Sequence, residues 1–197
     1  MNSYGLTGFT STIIDRVIEL IPDPEYSPLH CVRDIAEMPT NLDRYVLCAG
    51  VMYGQKVSEM ETMCVLETFA VNYIDVVVFL ERLFENNTSA RVCVIGSMSG
   101  INGSYDTVYA GSKAALHLYV KTKQLTKRQH LVCVAPTIIE DAGMTTRRKD
   151  YAATMSRGKN RRLGRWLKSD EVAKTVMFAI ENDAMCNTVI ELNGGNW

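Results

Sequence analysis

Tyr109 and Lys113 stand four residues apart in the stretch SYDTVYAGSKAAL, with Ala110, Gly111 and Ser112 between them. Residues at that spacing share one face of a helix, so a phenol and an ammonium can act on the same small volume. A tyrosine titrates near ~10 in water, too high for a base at neutral pH. An ammonium a few ångströms away favours the phenolate and lowers that value. The small residues between the pair let a ligand or another backbone come close. Taken alone, the pair also fits an ordinary packed helix. Two more residues bear on the choice. Ser97 follows the apolar run RVCVI in the segment GSMSG, twelve residues before Tyr109, where a serine is also a common turn residue. Asn72 lies inside LETFAVNYIDVVVFLERLF, where its amide disfavours helix and needs a partner, a role that is often purely structural.

The elements that would position these residues are legible as short apolar runs alternating with helical patterns. That alternation predicts an α/β fold: one domain with a doubly wound, Rossmann-like parallel sheet of about six strands and helices on both faces. Candidate strands are 3–8, 29–33, 44–48, 91–95, 131–135 and 187–192. Candidate helices are 12–20, 59–86, 106–127 and 170–182, with a less regular helical insert near 144–158, and IPDPEYSP (21–28) reads as a loop. In such sheets ligands bind at the carboxyl ends of the strands, which is where Ser97 falls.

A chain of 197 residues is long enough for one sizeable core and short for two. Its 47% hydrophobic and 22% charged residues are those of a soluble globular protein. The longest apolar run, Val76 to Leu80, is too short to span a bilayer, and MNSYGLTGFT does not read as a signal peptide. The six cysteines show no paired metal spacing, so no metal site is expected, and a reducing cytoplasm suits them. Charge is uneven: residues 1–90 carry 5 basic and 13 acidic side chains, residues 91–197 carry 16 and 9. Between Arg147 and Lys168 nine basic residues face one acid, Asp150. This segment fits a solvated helical face or the site of an anionic small-molecule substrate; no nucleic-acid motif accompanies it, and neither nucleic acid nor membrane is expected as a partner.

The order Asn72, Ser97, Tyr109, Lys113 resembles the short-chain dehydrogenase/reductase (SDR) superfamily over nearly the whole chain. YAGSK matches the family's YxxxK, IGSMSG its serine motif (with Ser97 fitting the spacing better than Ser99), and VN its asparagine. VLCAG resembles the strand ending NNAG, VAPTII the cofactor loop PGxI, and RRLGRWLKSDEVAKTVMFAIEN with TVIELNGG the family's C-terminal run. The resemblance implies a nicotinamide-dependent oxidoreductase acting on a carbonyl or alcohol. Tyr109 would be the acid–base, Ser97 would hydrogen-bond the substrate oxygen, Lys113 would also bind the nicotinamide ribose, and Asn72 would hold a water linking Lys113 to solvent. It further implies that NAD or NADP lies along Gly8, Ser11, Thr12, Ile13, Asp34, Ala49, Gly50, Tyr109, Lys113, Pro136, Thr137 and Ile139. The helices around Asn72–Phe84 and Ala114–Leu125 would form a two-fold contact, giving a homodimer or homotetramer.

The match breaks at the adenosine end. TGFTSTII stands where the family has TGxxxGIG, so Thr12 and Ile14 replace two glycines and Thr12 is expected to crowd the pyrophosphate. Only one further strand lies between Gly8 and the run RYVLC, so the chain reads as a shortened member lacking the second strand and its helix, with the strand at 29–33 pairing directly beside the first. Asp34 is left to match the acid that touches adenine, Thr137 stands for a glycine, Asp141 for a threonine at the carboxamide, and Cys48 for the second asparagine of NNAG. Weak, poorly discriminating dinucleotide binding is therefore expected. On this basis the single SDR-like domain divides into a shortened cofactor half (1–56), catalytic helices and strands (57–135), a cofactor loop with basic lid (136–168) and a final helix and strand (169–197). The alternatives are a non-catalytic SDR-like binding protein with a degraded dinucleotide site, and an enolising or isomerising enzyme that uses no dinucleotide.

Overall fold

The computed structural model describes residues 2–8, 10–22, 29–32 and 34–195. Residues 23–28 of the predicted loop and Arg33 of the predicted second strand lie outside them. Six strands form one parallel sheet: β1 (Tyr4–Thr7), β2 (Leu29–Val32), β3 (Arg44–Leu47), β4 (Arg91–Ile95), β5 (His130–Pro136) and β6 (Thr188–Leu192), in the order β2-β1-β3-β4-β5-β6. β2 pairs with β1 in register Tyr4↔Leu29, as the loss of a strand and helix predicts. The order reverses between β1 and β3, so their carboxyl ends part there and leave the crevice in which such sheets hold ligands.

The sheet is covered on both faces because its strands are apolar at successive positions. In β4, Cys93 and Ile95 belong to the core under α1 (Thr12–Leu20) and α8 (Ser169–Glu181), while Val92 and Val94 point to the other side. That second core is closed by Phe79, Leu80 and Leu83 of α3 (Asp75–Asn86) and by Leu116 and Val120 of α5 (Thr107–Thr122). Alternation with period two sends each strand's residues into two separate cores. Glu81 of α3 accepts hydrogen bonds from the Tyr119 hydroxyl (2.7 Å) and from Lys123, tying α3 to the end of α5.

The predicted helix 59–86 is interrupted. Residues Val57–Glu59 are a single 3₁₀ turn, α2 runs Thr62–Phe69, and a π turn at Ala70–Ile74 joins it to α3. A π turn offsets the helical repeat by one residue, but FAVNYIDVVVFL is apolar at so many positions that the offset leaves no readable mark. By length and composition Thr62–Asn86 is apolar enough to cross a membrane. Here one face of its second half, Val76, Phe79, Leu80 and Leu83, is buried in the sheet's core, whereas Met63, Leu66, Ile74 and Val78 remain exposed. The helical insert near 144–158 is two short helices, α6 (Gly143–Thr146) and α7 (Tyr151–Gly158), and the predicted helix 106–127 ends at Thr122. A four-residue α4 (Ser99–Asn102) follows the serine segment.

Candidate active site

The carboxyl ends of β1, β3, β4 and β5 open into one cavity of about 750 Å³, within the range of ligand sites. Gly8, Ser11 and Ile13 line one end of it, Ala49 and Gly50 the middle, and Ser97, Tyr109 and Lys113 the other end. Pro136, Thr137 and Ile139 form a further wall, and Arg147, Arg148, Arg157 and Arg161 approach from the basic segment.

Asp106 sets the position of Tyr109. Its Oδ1 accepts the Tyr109 backbone N–H at 2.9 Å and so caps α5, while Oδ2 accepts the Gly54 N–H at 2.9 Å. One turn on, the Lys113 ammonium donates to the Ile95 carbonyl at 2.8 Å. Both side chains are buried, Tyr109 at 8% and Lys113 at 4% exposure. Burial raises the Tyr109 phenol above its ordinary value, with Ser97 pulling the other way, and burial lowers the Lys113 amine. This direction runs against the expectation that Lys113 makes the phenol acidic. Desolvation dominates at Tyr109, and the ammonium is satisfied by a strand carbonyl.

Asn72 sits in the π turn, fully buried. Its Oδ1 accepts the Val51 N–H at 2.8 Å and its Nδ2 donates to the Val51 carbonyl at 2.8 Å and to Ser112 Oγ at 3.1 Å. The amide therefore clamps the segment leaving β3 to α5, just past Gly50. A Cβ on Gly50 would come within 3.2 Å of Asn72 Oδ1 and 3.7 Å of Lys113 Nζ, so this glycine keeps the cavity floor open between them. Ser97 Oγ accepts the Ser99 N–H at 3.1 Å, and the Ser97 N–H itself is accepted by His117 Nε2 at 3.3 Å. Neither Asp106 nor His117 was marked by sequence, although His117 follows Lys113 by four residues on the same face of α5.

At the other end of the cavity, Gly8 has φ +77, and a Cβ there would lie 2.9 Å from the backbone nitrogen of Ala49. Ser11 Oγ accepts the Ile13 N–H at 3.2 Å and caps α1. Thr12 does not line the cavity: its hydroxyl meets Ser169 Oγ at 2.6 Å, and Ser169 donates to Asp141 Oδ1 at 3.0 Å. The expected crowding by Thr12 is therefore replaced by a link between α1 and α8. Ile14 fills the core below instead of leaving a glycine's gap. Asp34 caps its own 3₁₀ turn through the Ala36 N–H at 2.9 Å and is not among the described residues lining the cavity, so its expected contact with adenine has no counterpart here. Asp141 is engaged with Ser169 and is likewise not among those lining residues.

The basic segment is organised by Trp166, whose Nε1 donates to the Thr154 carbonyl at 2.7 Å and whose ring lies 4.6 Å beneath the Arg161 guanidinium. Asp150 serves both Arg148 (2.8 Å) and Arg157 (3.3 Å), which hold its carboxyl well below the usual range. Among the described residues neither Arg147 nor Arg161 forms a salt bridge.

Residues 28–152, more than half of the chain, match the family described as short chain dehydrogenase. The chain belongs to that family. Solved structures agree in fold. A short-chain dehydrogenase/reductase of Brucella melitensis, described as a glucose/ribitol dehydrogenase, superposes with a TM-score of 0.83 at 18% identity, over 98% of this chain and 96% of that one. A small-chain dehydrogenase in complex with NADPH gives 0.81 at 19% identity, over 98% and 97%. A 3-oxoacyl (acyl-carrier-protein) reductase of Agrobacterium tumefaciens with NADP bound gives 0.80 at 18%, over 99% and 94%. No curated protein matches this short-chain dehydrogenase by sequence.

Proposed function

We propose that this short-chain dehydrogenase moves a hydride between NAD or NADP and the carbonyl or alcohol carbon of a small anionic substrate. The observation that supports the reading is that Ser97, Tyr109 and Lys113 line the same cavity as Gly8 and Ser11 of the first turn. The residues present fit a nicotinamide dinucleotide: Gly8 lets the first turn lie against the Cys48–Ala49 backbone, Gly50 keeps the floor clear of a side chain, and Lys113 lies beside Gly50. Three structural neighbours carry NADPH or NADP. When bound, the nicotinamide ring supplies the hydride donor or acceptor. Tyr109, with its proton held firmly by burial, gives that proton to the oxygen of a carbonyl substrate as the carbon is reduced, or takes it back in the reverse direction. Ser97 Oγ donates to the same oxygen while charge develops on it. Lys113, poised on the Ile95 carbonyl, can turn to a ribose hydroxyl and bring its charge toward Tyr109.

Arg147 and Arg161, which have no carboxylate partner among the described residues, support an anionic substrate, since they place positive charge at the cavity wall. Binding of the dinucleotide is weak on this account. Thr12 is engaged with Ser169 and Asp34 with its own turn, and neither lines the cavity, so of the three polar side chains expected there only Ser11, whose hydroxyl also caps its own helix, faces a pyrophosphate or adenosine. The same three contacts favour the second reading, a non-catalytic binding protein. A homodimer or homotetramer in the cytoplasm remains part of the proposal, supported by the exposed apolar face of α2 and α3 and by six unpaired cysteines.

The test is turnover of NADH and NADPH with a panel of keto acids, phosphorylated ketones and neutral ketones. Tyr109→Phe keeps the ring and removes the proton donor, so activity on a responsive substrate falls by roughly 10²-fold or more. An unchanged rate in folded Tyr109→Phe would remove Tyr109 from the reaction.

A further inference from the structure

β4 stops at Ile95, but its hydrogen-bonding pattern continues for one more turn of the pleat. The Gly96 N–H donates to the Val134 carbonyl at 2.8 Å and the Met98 N–H to the Pro136 carbonyl at 2.9 Å, both on β5. The intervening Ser97 N–H points away from β5, and β3 has already ended at Leu47. A buried N–H without an acceptor is costly, so this position requires one. His117 provides it: Nε2 lies 3.3 Å from the Ser97 nitrogen, and the imidazole is 4% exposed.

The glycines of GSMSG mark the space the ring needs. A Cβ on Gly96 would overlap His117 Nε2, and one on Gly100 would lie 2.9 Å from His117 Cε1. The serine segment thus folds around the imidazole, with a glycine on each side of it. The same ring is fixed from below by its place on α5, two turns beyond Tyr109 and one beyond Lys113. One side chain therefore couples the serine to the helix that carries the other two groups.

We propose that His117 is the positioning residue of this site, holding the Ser97 peptide through an unprotonated Nε2 so that Ser97 Oγ and the Tyr109 hydroxyl address the same substrate oxygen. The proposal rests on the oxidoreductase reading for its kinetic consequence, and on geometry alone for the hydrogen bond. The charged and titratable groups around the ring are Lys113 and Lys121 on its own helix and Cys133 on β5, which faces the same notch at Gly96. Burial first, then the two lysines, push the imidazole down to about 4, so the ring is uncharged in the neutral range, and the Ser97 N–H directed at Nε2 selects the tautomer in which Nε2 is the acceptor. Protonation would turn the acceptor into a donor and set a second cation beside Lys113, releasing the Ser97 peptide.

Two arms test this. In the ligand-free protein, nitrogen-15 spectra of the imidazole and the backbone are recorded for wild type, His117→Leu and His117→Gln, the last of which offers an amide oxygen near the place of Nε2. Wild type should show an unprotonated Nε2 at pH 7, and the Ser97 amide should exchange faster in His117→Leu and regain protection in His117→Gln. A protonated Nε2, or an unaltered Ser97 amide in His117→Leu, overturns the proposal whatever the activity. In the second arm, kcat falls roughly 10- to 100-fold in His117→Leu with dinucleotide affinity unchanged, and His117→Gln recovers most of it. The wild-type rate also drops on acidification with an apparent pKa near the imidazole's, a limb absent from His117→Gln. Equal kcat losses in the two folded variants would mean that the ring only packs, and would overturn the proposal. A wild type without turnover on any substrate would retire the oxidoreductase reading, while the spectroscopic arm would still decide the hydrogen bond.

Discussion

The Lys113 ammonium donates to the carbonyl of Ile95, 2.8 Å away at the end of β4, and not to the phenol of Tyr109 one turn earlier. With the charge engaged there, burial governs Tyr109 and raises its pKa. The sign matters for function. A raised value keeps the proton on the phenol to higher pH, which favours a proton donor over a ready base. Absorbance titration of wild type against Tyr109→Phe should show a tyrosine that ionises only above the ordinary ~10. A Tyr109 signal titrating below that value, without ligand, would mean that Lys113 already acts on the phenol.

The exposed side of the helix pair gives a second expectation. Val78 and Leu118 are each 63% exposed, and Met63 and Leu66 extend the same apolar character along α2. An apolar face of this size on a surface helix calls for cover. Light scattering should give at least a dimer at micromolar concentration, and Val78→Glu with Leu118→Glu should give a folded monomer. A monomeric wild type would refute the contact.

Arg161 is held over Trp166 at the cavity wall, with no carboxylate partner among the described residues. For a carboxylate or phosphate substrate, Arg161→Gln should raise KM by roughly 10-fold and leave kcat nearly unchanged, because a charge-assisted bond worth about 1.4 kcal/mol is lost from binding alone. Added salt should raise KM in wild type and have less effect in the variant. Equal KM values for charged and neutral ketones, insensitive to salt, would reduce the cluster to surface charge.

Much of this site could be read before the fold was known, because its residues obey simple spacings. Tyr109 and Lys113 are one helical turn apart, Ser97 ends an apolar strand, and the missing strand was visible as the short distance from Gly8 to the run RYVLC. What escaped reading depends on tertiary partners. The π turn at Asn72 leaves no periodic mark, and the amide's partners on Val51 and Ser112 come from distant segments. Thr12 looked obstructive because nothing in the sequence reveals Ser169 as the partner of its hydroxyl. Asp34 read as a ligand-binding acid, but a side chain that caps the next turn has the same local sequence. His117 had a signal that went unused: it continues the four-residue series of Tyr109 and Lys113, yet a histidine among Leu116, Leu118 and Val120 reads as ordinary core.

The central claim is that the cavity accepts a nicotinamide dinucleotide despite its altered glycine turn. Calorimetric titration with NAD, NADH, NADP and NADPH tests it directly. The loss of several polar contacts, each worth about 1 kcal/mol, predicts saturable binding at one site per chain, weakened by 10²-fold or more relative to an intact turn and with little preference among adenosine riboses. Lys113→Met, which removes the ammonium beside Gly50, should abolish that binding. No binding of any of the four at millimolar concentration would contradict the account and leave the non-catalytic reading in its place.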